Sequence, residues 1–275
     1  MKESTLNIPA PAPLDRAPPS SARIYNYLLG GREYFPVDRA AAENALLAVP
    51  HGRSIAAANR RFAARAARYM AAHGIVQFLD LGAGLLTRPA VHHVVRSVNP
   101  GARVLYIDND PTVTAHNRRL LARTPGTAAI RGDLREPHGI VARPQVAELI
   151  DFGQPTGLLF TAVLHFIPPE DDPERAMRSF ARYLVPGSAL AVSHLSSDGT
   201  QPEVITAIEH AWQHATAPAV FRSADQIQGF FGGLDLVPPG LTTVASWPSR
   251  IPAPVQSPAL QVLAGVARRP PLLPG

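Results

Sequence analysis

The stretch Val76-Gln77-Phe78-Leu79-Asp80-Leu81-Gly82-Ala83-Gly84 decides the fold of this chain. A short apolar run ends in an acid and then in two glycines one residue apart. The run reads as a buried strand entering a tight turn. The glycines let the backbone adopt positive φ and come close to a ligand. Residues 89–98, just beyond, have helical character. Strand, glycine turn and helix together form the first crossover of a nucleotide-binding α/β sheet.

Strands and helices alternate from Ile75 onward. Strands are expected at 76–81, 104–108, 128–131, 158–163 and 189–194, with helices at 89–98, 111–121, 144–150 and 173–183 between them. Helices at 202–214 and 224–231 follow, and strand segments at 234–237, 241–247 and 260–267 close the chain. The alternation implies a mostly parallel sheet with helices on both faces. The last strands lack a good helix between them, which implies an antiparallel C-terminal edge. Upstream, Ser20 or Ser21 caps a helix at 22–29 that Gly30-Gly31 terminates. Asp38 caps a second helix at 39–48, and a third runs over 54–72 to Gly74. The expected organisation is a disordered proline-rich tail (1–19), a helical N-terminal cap (20–74), an α/β domain (75–270) and a short tail (271–275).

Composition narrows the function classes. With 46% hydrophobic residues in 275, the chain can bury a substantial core. The absence of cysteine excludes disulfides, thiolate zinc sites and a cysteine nucleophile. No apolar run reaches the roughly 18 residues of a membrane span, and the N-terminus lacks a signal core, so a soluble cytoplasmic protein is expected. The net charge of +5 and the pI near 10.1 flag nucleic acid as a partner. The basic residues fall singly on helix faces, however, which favours a coding bias. The row Arg61, Arg65 and Arg68 is expected to be a solvated face. His92 and His93 are adjacent on a helix and expected to point apart, and no His/Asp cluster has metal-ligand spacing, so no metal is expected.

Asp108 ends the second strand, 26 residues after Gly82, at the distance from which an acid reaches a ribose. Asn109 follows it, and Asp110 before Pro111 fills the helix-capping role better than Asp108 does. After the third strand, Asp133 can accept a hydrogen bond from an adenine amino group while Leu134 packs on the ring. A dinucleotide fold requires a third small residue in G-x-G-x-x-G/A, and Thr87 occupies that place. No P-loop is present. The short D-x-G-x-G form suits a ligand without a pyrophosphate, namely S-adenosylmethionine.

This arrangement resembles the class I S-adenosylmethionine-dependent methyltransferases. More narrowly, it is similar to the S-adenosyl methyltransferase family, actinobacterial in type and formerly a domain of unknown function. Four segments carry the likeness: Ser21-Ala22-Arg23-Ile24-Tyr25-Asn26-Tyr27-Leu28-Leu29-Gly30-Gly31-Arg32 with Asp38-Arg39; Phe78 to Leu85; Val104-Leu105-Tyr106-Ile107-Asp108-Asn109-Asp110-Pro111; and Ala162-Val163-Leu164-His165-Phe166-Ile167-Pro168 with Asp171-Asp172-Pro173. Phe221-Arg222-Ser223 and Gly265-Val266-Ala267-Arg268 also fit. The resemblance implies a Rossmann-like, seven-stranded methyltransferase sheet. It places Asp80, Gly82, Ala83 and Gly84 near the methionyl part of the cofactor, Asp108 on the ribose and Asp133 at the adenine. The family more often carries Thr at 83, Pro at 86 and Asn at 90. Ala83, Leu86 and Ala90 here leave the methionyl end to backbone groups or to the 25–32 cap.

Cofactor and acceptor meet outside the carboxyl ends of the strands, which makes Thr161 and Ala162 candidates to line the cofactor. His165 is the candidate general base, with a packed strand-end histidine as the alternative. Tyr25 and Tyr27, with the Gly30-Gly31 hinge and Arg32, are expected to form a lid over the acceptor. No Asn/Asp-Pro-Pro-Tyr/Phe motif follows the fourth strand, which argues against a DNA amino-methyltransferase. The expected activity is methyl transfer to a small-molecule acceptor. The alternative is a non-catalytic cofactor-binding or regulatory protein, with nucleic acid as a less favoured partner.

Overall fold

The computed structural model describes residues 18–248 and 259–270. The expectations for 1–17 and 271–275 fall outside the described residues. Three helices come first, α1 (Ser21–Leu28), α2 (Pro36–Ala48) and α3 (Gly52–Ala72). The sheet region then runs β1 (Gln77–Leu81), α4 (Val91–Arg96), β2 (Arg103–Asp108), α5 (Pro111–Leu121), β3 (Thr127–Arg131), α6 (Pro137–Val141), α7 (Pro144–Ala147) and β4 (Gly157–Thr161). It closes with α8 (Pro173–Ala181), β5 (Ala189–Ser196), α9 (Pro202–Trp212), α10 (Ala224–Gly229), β6 (Asp235–Leu236), β7 (Thr242–Thr243) and β8 (Gln261–Arg268).

The strand order is β3-β2-β1-β4-β5-β8-β6, with β7 also on β8. The first five strands are mutually parallel, and β8 runs antiparallel to β5, β6 and β7. The sheet therefore has the seven expected positions. Two short strands share the outermost one, because Pro238-Pro239-Gly240 interrupts the edge and proline cannot donate to a ladder. The expected antiparallel C-terminal edge is present, since the edge strands β6 and β7 pair antiparallel with β8.

Period-2 alternation assigns the two faces. Phe78, Val104, Tyr106 and Leu159 pack with Phe62 and Met70 of α3. Leu79, Leu81, Leu105 and Ile107 pack on the other face with Met177 and Phe180 of α8. Helix α3 is thus a layer of the sheet's own core. Asp80 shares the α3 face with Phe78.

Several local expectations are corrected. Phe35, not Asp38, occupies the N-cap of α2; Asp38 lies in the first turn, fully buried, and accepts from the Phe35 amide at 2.8 Å. Ser20 is the N-cap residue of α1, but its hydroxyl donates to Asp110 Oδ2 at 2.9 Å instead of capping. The helix expected at 144–150 is a single turn, α7 (Pro144–Ala147), and an unexpected short helix, α6 (Pro137–Val141), precedes it. Arg65 is not solvated: its Nε and Nη2 donate to the carbonyls of Trp247 and Val244, both at 2.6 Å, and stitch α3 to the segment after β7. The His92 and His93 rings do not diverge but lie with centroids 4.0 Å apart. Their Nδ1 atoms are committed to the Tyr106 hydroxyl (2.7 Å) and the Ala90 amide (3.1 Å). Among the described residues no helix is long and apolar enough to cross a membrane.

Candidate active site

The glycine turn is built by close approach. Gly82 and Gly84 have φ of +73° and +60°. A Cβ on Gly82 would overlap the Val163 side chain, whereas one on Gly84 would meet nothing within 4 Å. Gly82 therefore serves packing, and Gly84 keeps its open side toward a cavity. Asn117, buried on α5, holds the turn by accepting from the Leu86 amide (3.1 Å) and donating to the Gly84 carbonyl (2.8 Å).

At the carboxyl ends of β1 to β4 lies a cavity of about 260 Å³. The expected residues Gly82, Ala83, Gly84, Asp108, Asn109, Asp133, Leu134, Thr161, Ala162 and Tyr25 line it. Asp80 is buried and does not line it. Tyr27, Gly31 and Arg32 do not reach it. Tyr27 instead bonds Glu43 (2.9 Å) and carries the Arg53 guanidinium 4.5 Å above its ring, Gly31 abuts the Asn26 side chain at the end of α1, and Arg32 is exposed. The double glycine is a helix terminator, with the Gly31 amide donating to the Asn26 carbonyl at 2.9 Å. Of the expected lid residues, only Tyr25 stands at the cavity. Its hydroxyl is tied down, accepting from Asn59 Nδ2 (2.8 Å) and donating to the Ala56 carbonyl (3.1 Å).

Asp108 accepts from the amides of Gly84 (2.8 Å, Oδ2) and Asp110 (3.0 Å, Oδ1). Burial pushes its pKa up, and those amides pull it back. Asp80 is only 3% exposed, and its Oδ2 has no hydrogen-bond partner. Burial pushes its carboxyl up to about 6, opposed by Arg60 and reinforced by Asp108. Asp133 is less available than expected. Arg135 Nη2 meets its Oδ2 at 2.6 Å, Arg135 Nε and N meet its Oδ1 at 3.0 Å, and Nη1 of the same guanidinium bonds Asp171 at 2.8 Å. The bond from Arg135 holds Asp133 below the usual carboxylate range.

Residues not anticipated complete the cavity. Arg60 of α3 lines it, bonds Thr87 Oγ1 through Nε (3.0 Å) and leaves its buried Nη2 without a partner. A relay of hydrogen bonds fixes the end of β4: Ser193 Oγ accepts from the Ala162 amide (2.9 Å) and donates to Asn59 Oδ1 (2.6 Å), and Asn59 continues to Tyr25. Ala162 is held there at φ +54°, a conformation that costs a non-glycine residue about 1 kcal/mol or more. No sequence motif marks Asn59, Arg60 or Ser193, because one polar residue in a helix or strand carries no local signal.

His165 lies outside this cavity, buried behind it, with Nδ1 unpartnered. Burial lowers its pKa strongly, and His194 and Arg222 add to the effect. Its turn is pinned by Arg222, which donates to the carbonyls of Leu164 (3.1 Å) and Ile167 (2.8 Å) and meets His194 Nε2 at 2.9 Å.

A parallel sheet of this strand order, with a glycine turn after β1 and an acid ending β2, defines a Rossmann-like methyltransferase. The sequence profile of the S-adenosyl methyltransferase family matches residues 8–270. The chain belongs to that family, as a SAM-dependent methyltransferase. A candidate methyltransferase from Thermobifida fusca is 36% identical with a TM-score of 0.87, covering 94% of this chain and 97% of its own. A DUF574-family protein from Streptomyces avermitilis is 33% identical with a TM-score of 0.86, covering 92% and 98%. An O-methyltransferase family protein from Burkholderia thailandensis shares the fold alone, at 12% identity and a TM-score of 0.54 over 86% of this chain and 61% of its own. No curated protein matches the chain.

Proposed function

We propose that the cavity at the glycine turn binds S-adenosylmethionine and that the protein transfers its methyl group to a small-molecule acceptor. The observation that carries this reading is the convergence of the turn, Asp108, Leu134 and Ala162 on one cavity. The polar atoms fit the cofactor. Asp108 keeps its carboxylate at the cavity for the ribose hydroxyls. Leu134 offers an apolar surface to the adenine, and Asp133, paired with Arg135, stands at that end.

The methionyl carboxylate needs a donor. The amides of Gly82 and Ala83 are spent on the Ile107 carbonyl (2.8 and 3.0 Å) and that of Gly84 on Asp108. Arg60 Nη2 is the unspent cationic donor among the residues lining the cavity, and Asp80 Oδ2, buried two residues before Gly82, is an unspent negative atom. An unsatisfied buried polar atom costs about 1–3 kcal/mol, so both favour a ligand that satisfies them. The bound cofactor supplies an activated sulfonium methyl. The protein's part is then to align the acceptor and exclude water. Tyr25 cannot act as base, because its hydroxyl hydrogen is committed to Ala56 and burial raises its pKa.

The test is calorimetric titration with S-adenosylmethionine and S-adenosylhomocysteine, followed by turnover on a panel of small hydroxylated and aminated compounds. Micromolar binding with turnover supports the reading. No binding at millimolar cofactor overturns it, and binding without turnover leaves a cofactor sensor.

A further inference from the structure

A second chamber of about 100 Å³ adjoins the first. The two share Ser21, Tyr25, Asn59, Ala162 and Phe166 in their walls, so they meet at the relay that seats Ala162. Its walls are apolar, formed by side chains such as Leu28, Val49, Ile55, Leu195, Ile208 and Val262. Among the described residues, no Asp, Glu, Lys or Arg lines it. Yet three of the six buried side-chain polar atoms without a hydrogen-bond partner among the described residues belong to its lining: Ser21 Oγ, His165 Nδ1 and Trp212 Nε1. Trp212 is only 8% exposed and His165 only 5%.

Such a set is costly in an empty chamber. The indole N–H can only donate, and each unmade bond costs about 1–3 kcal/mol. Water is a poor remedy. One water takes roughly 10–15 Å³ of such volume, so the space exceeds a single bridging water several-fold, and apolar walls of this kind leave most of it dry. A ring-sized organic molecule fills it better.

We propose that this chamber is the methyl-acceptor site and that it takes a neutral, ring-sized compound bearing a hydroxyl group, of the class of simple phenols and alicyclic alcohols. The proposal rests on the cofactor reading above. The hydroxyl is both donor and acceptor: its hydrogen bonds His165 Nδ1, and its oxygen accepts from Trp212 Nε1 or Ser21 Oγ. The remainder of the ring packs on the aliphatic wall. Anionic acceptors are excluded, because no cation among the described residues lines the chamber to offset their desolvation. A nucleic-acid strand is excluded for the same reason and by size. His165 is uncharged at neutral pH, as a hydrogen-bond acceptor for a hydroxyl must be.

The experiment uses the full chain saturated with S-adenosylhomocysteine, with phenol as the probe and benzoate as the anionic control. The chain has two tryptophans, and the Nε1 atoms of both Trp212 and Trp247 are unpartnered. Only Trp212 lines the chamber, so Trp247 is an internal control. Phenol should bind with a dissociation constant on the order of 1 mM, in the range open to about seven heavy atoms. It should shift the indole N–H resonance of Trp212 and leave that of Trp247 in place. Trp212→Phe, which keeps an aromatic ring and removes the donor, should weaken phenol about tenfold with cofactor affinity unchanged. Phenol that fails to bind cofactor-loaded protein, benzoate that binds as tightly, or a shift at both indoles overturns the proposal and leaves the cofactor reading intact. Failure of the initial S-adenosylhomocysteine saturation instead defeats the cofactor reading.

Discussion

The Gly84 amide donates to Asp108 Oδ2 at 2.8 Å, so the turn after β1 and the acid ending β2 form one unit. Each presents its remaining surface to the cavity. Asp108→Ala removes the ribose partner and frees the Gly84 amide at once. Binding of S-adenosylhomocysteine should fall about 100-fold, the worth of two hydrogen bonds to a charged acceptor. Calorimetry checks it, and unchanged affinity would refute the ribose role of Asp108.

The buried Asp80 makes stability depend on pH. Its carboxyl rises from an ordinary 3.8 to about 6 in the folded protein. The folded state therefore holds the proton more tightly than the unfolded state. The stabilisation is fully present below about pH 4 and is lost as pH rises through 6, a change of about 3 kcal/mol. Asp80→Asn should abolish this component and stabilise the cofactor-free protein at pH 7. Cofactor affinity should rise with pH through about 6 in the native protein and lose that dependence in the variant. Urea denaturation and calorimetry between pH 4 and 8 test both halves. A variant with no stability gain at pH 7 would contradict the account.

The two turn glycines should fail differently. Gly82→Ala forces a methyl into Val163, so the protein should lose several kcal/mol or not fold. Gly84→Ala meets no atom within 4 Å and costs only the left-handed backbone penalty of about 1–2 kcal/mol. It should fold, yet bind cofactor poorly, because the new methyl projects into the cavity. Thermal melts paired with cofactor titration separate the cases. Equal melting temperatures for the two variants would be the adverse result.

Arg65 should prove structural. Losing its two bonds to the Trp247 and Val244 carbonyls should lower stability by about 2 kcal/mol in Arg65→Ala. The exposed neighbours Arg61 and Arg68 should change stability by less than about 0.5 kcal/mol when replaced by Ala. Denaturant midpoints decide this, and a large effect at Arg61 with none at Arg65 would contradict the assignment.

The sequence by itself determined the strand pattern of the sheet, the turn at Gly82 to Gly84 and the acid at Asp108. The physical reason is that these depend on short-range causes: period-2 burial, glycine at positive φ, and a fixed length of crossover. Local signals failed where a residue's partner lies far along the chain. Asp38 had the composition of a helix cap, but an ion pair with Arg23 at 2.6 Å and the Ser20 amide at 2.8 Å draw it inside. The double glycine ends α1 as its sequence indicates, but the lid expected around it does not form over the cavity, since Tyr27, Gly31 and Arg32 do not line it. Only the tertiary structure decided that Arg60 and Asn59, 22 and 23 residues before Gly82, reach the cavity, or that Ser193 seats Ala162. It alone gathered Ser21, His165 and Trp212 around one apolar chamber. Each is an ordinary polar residue in its own segment, and what marks it is the bond it lacks once the chain has buried it.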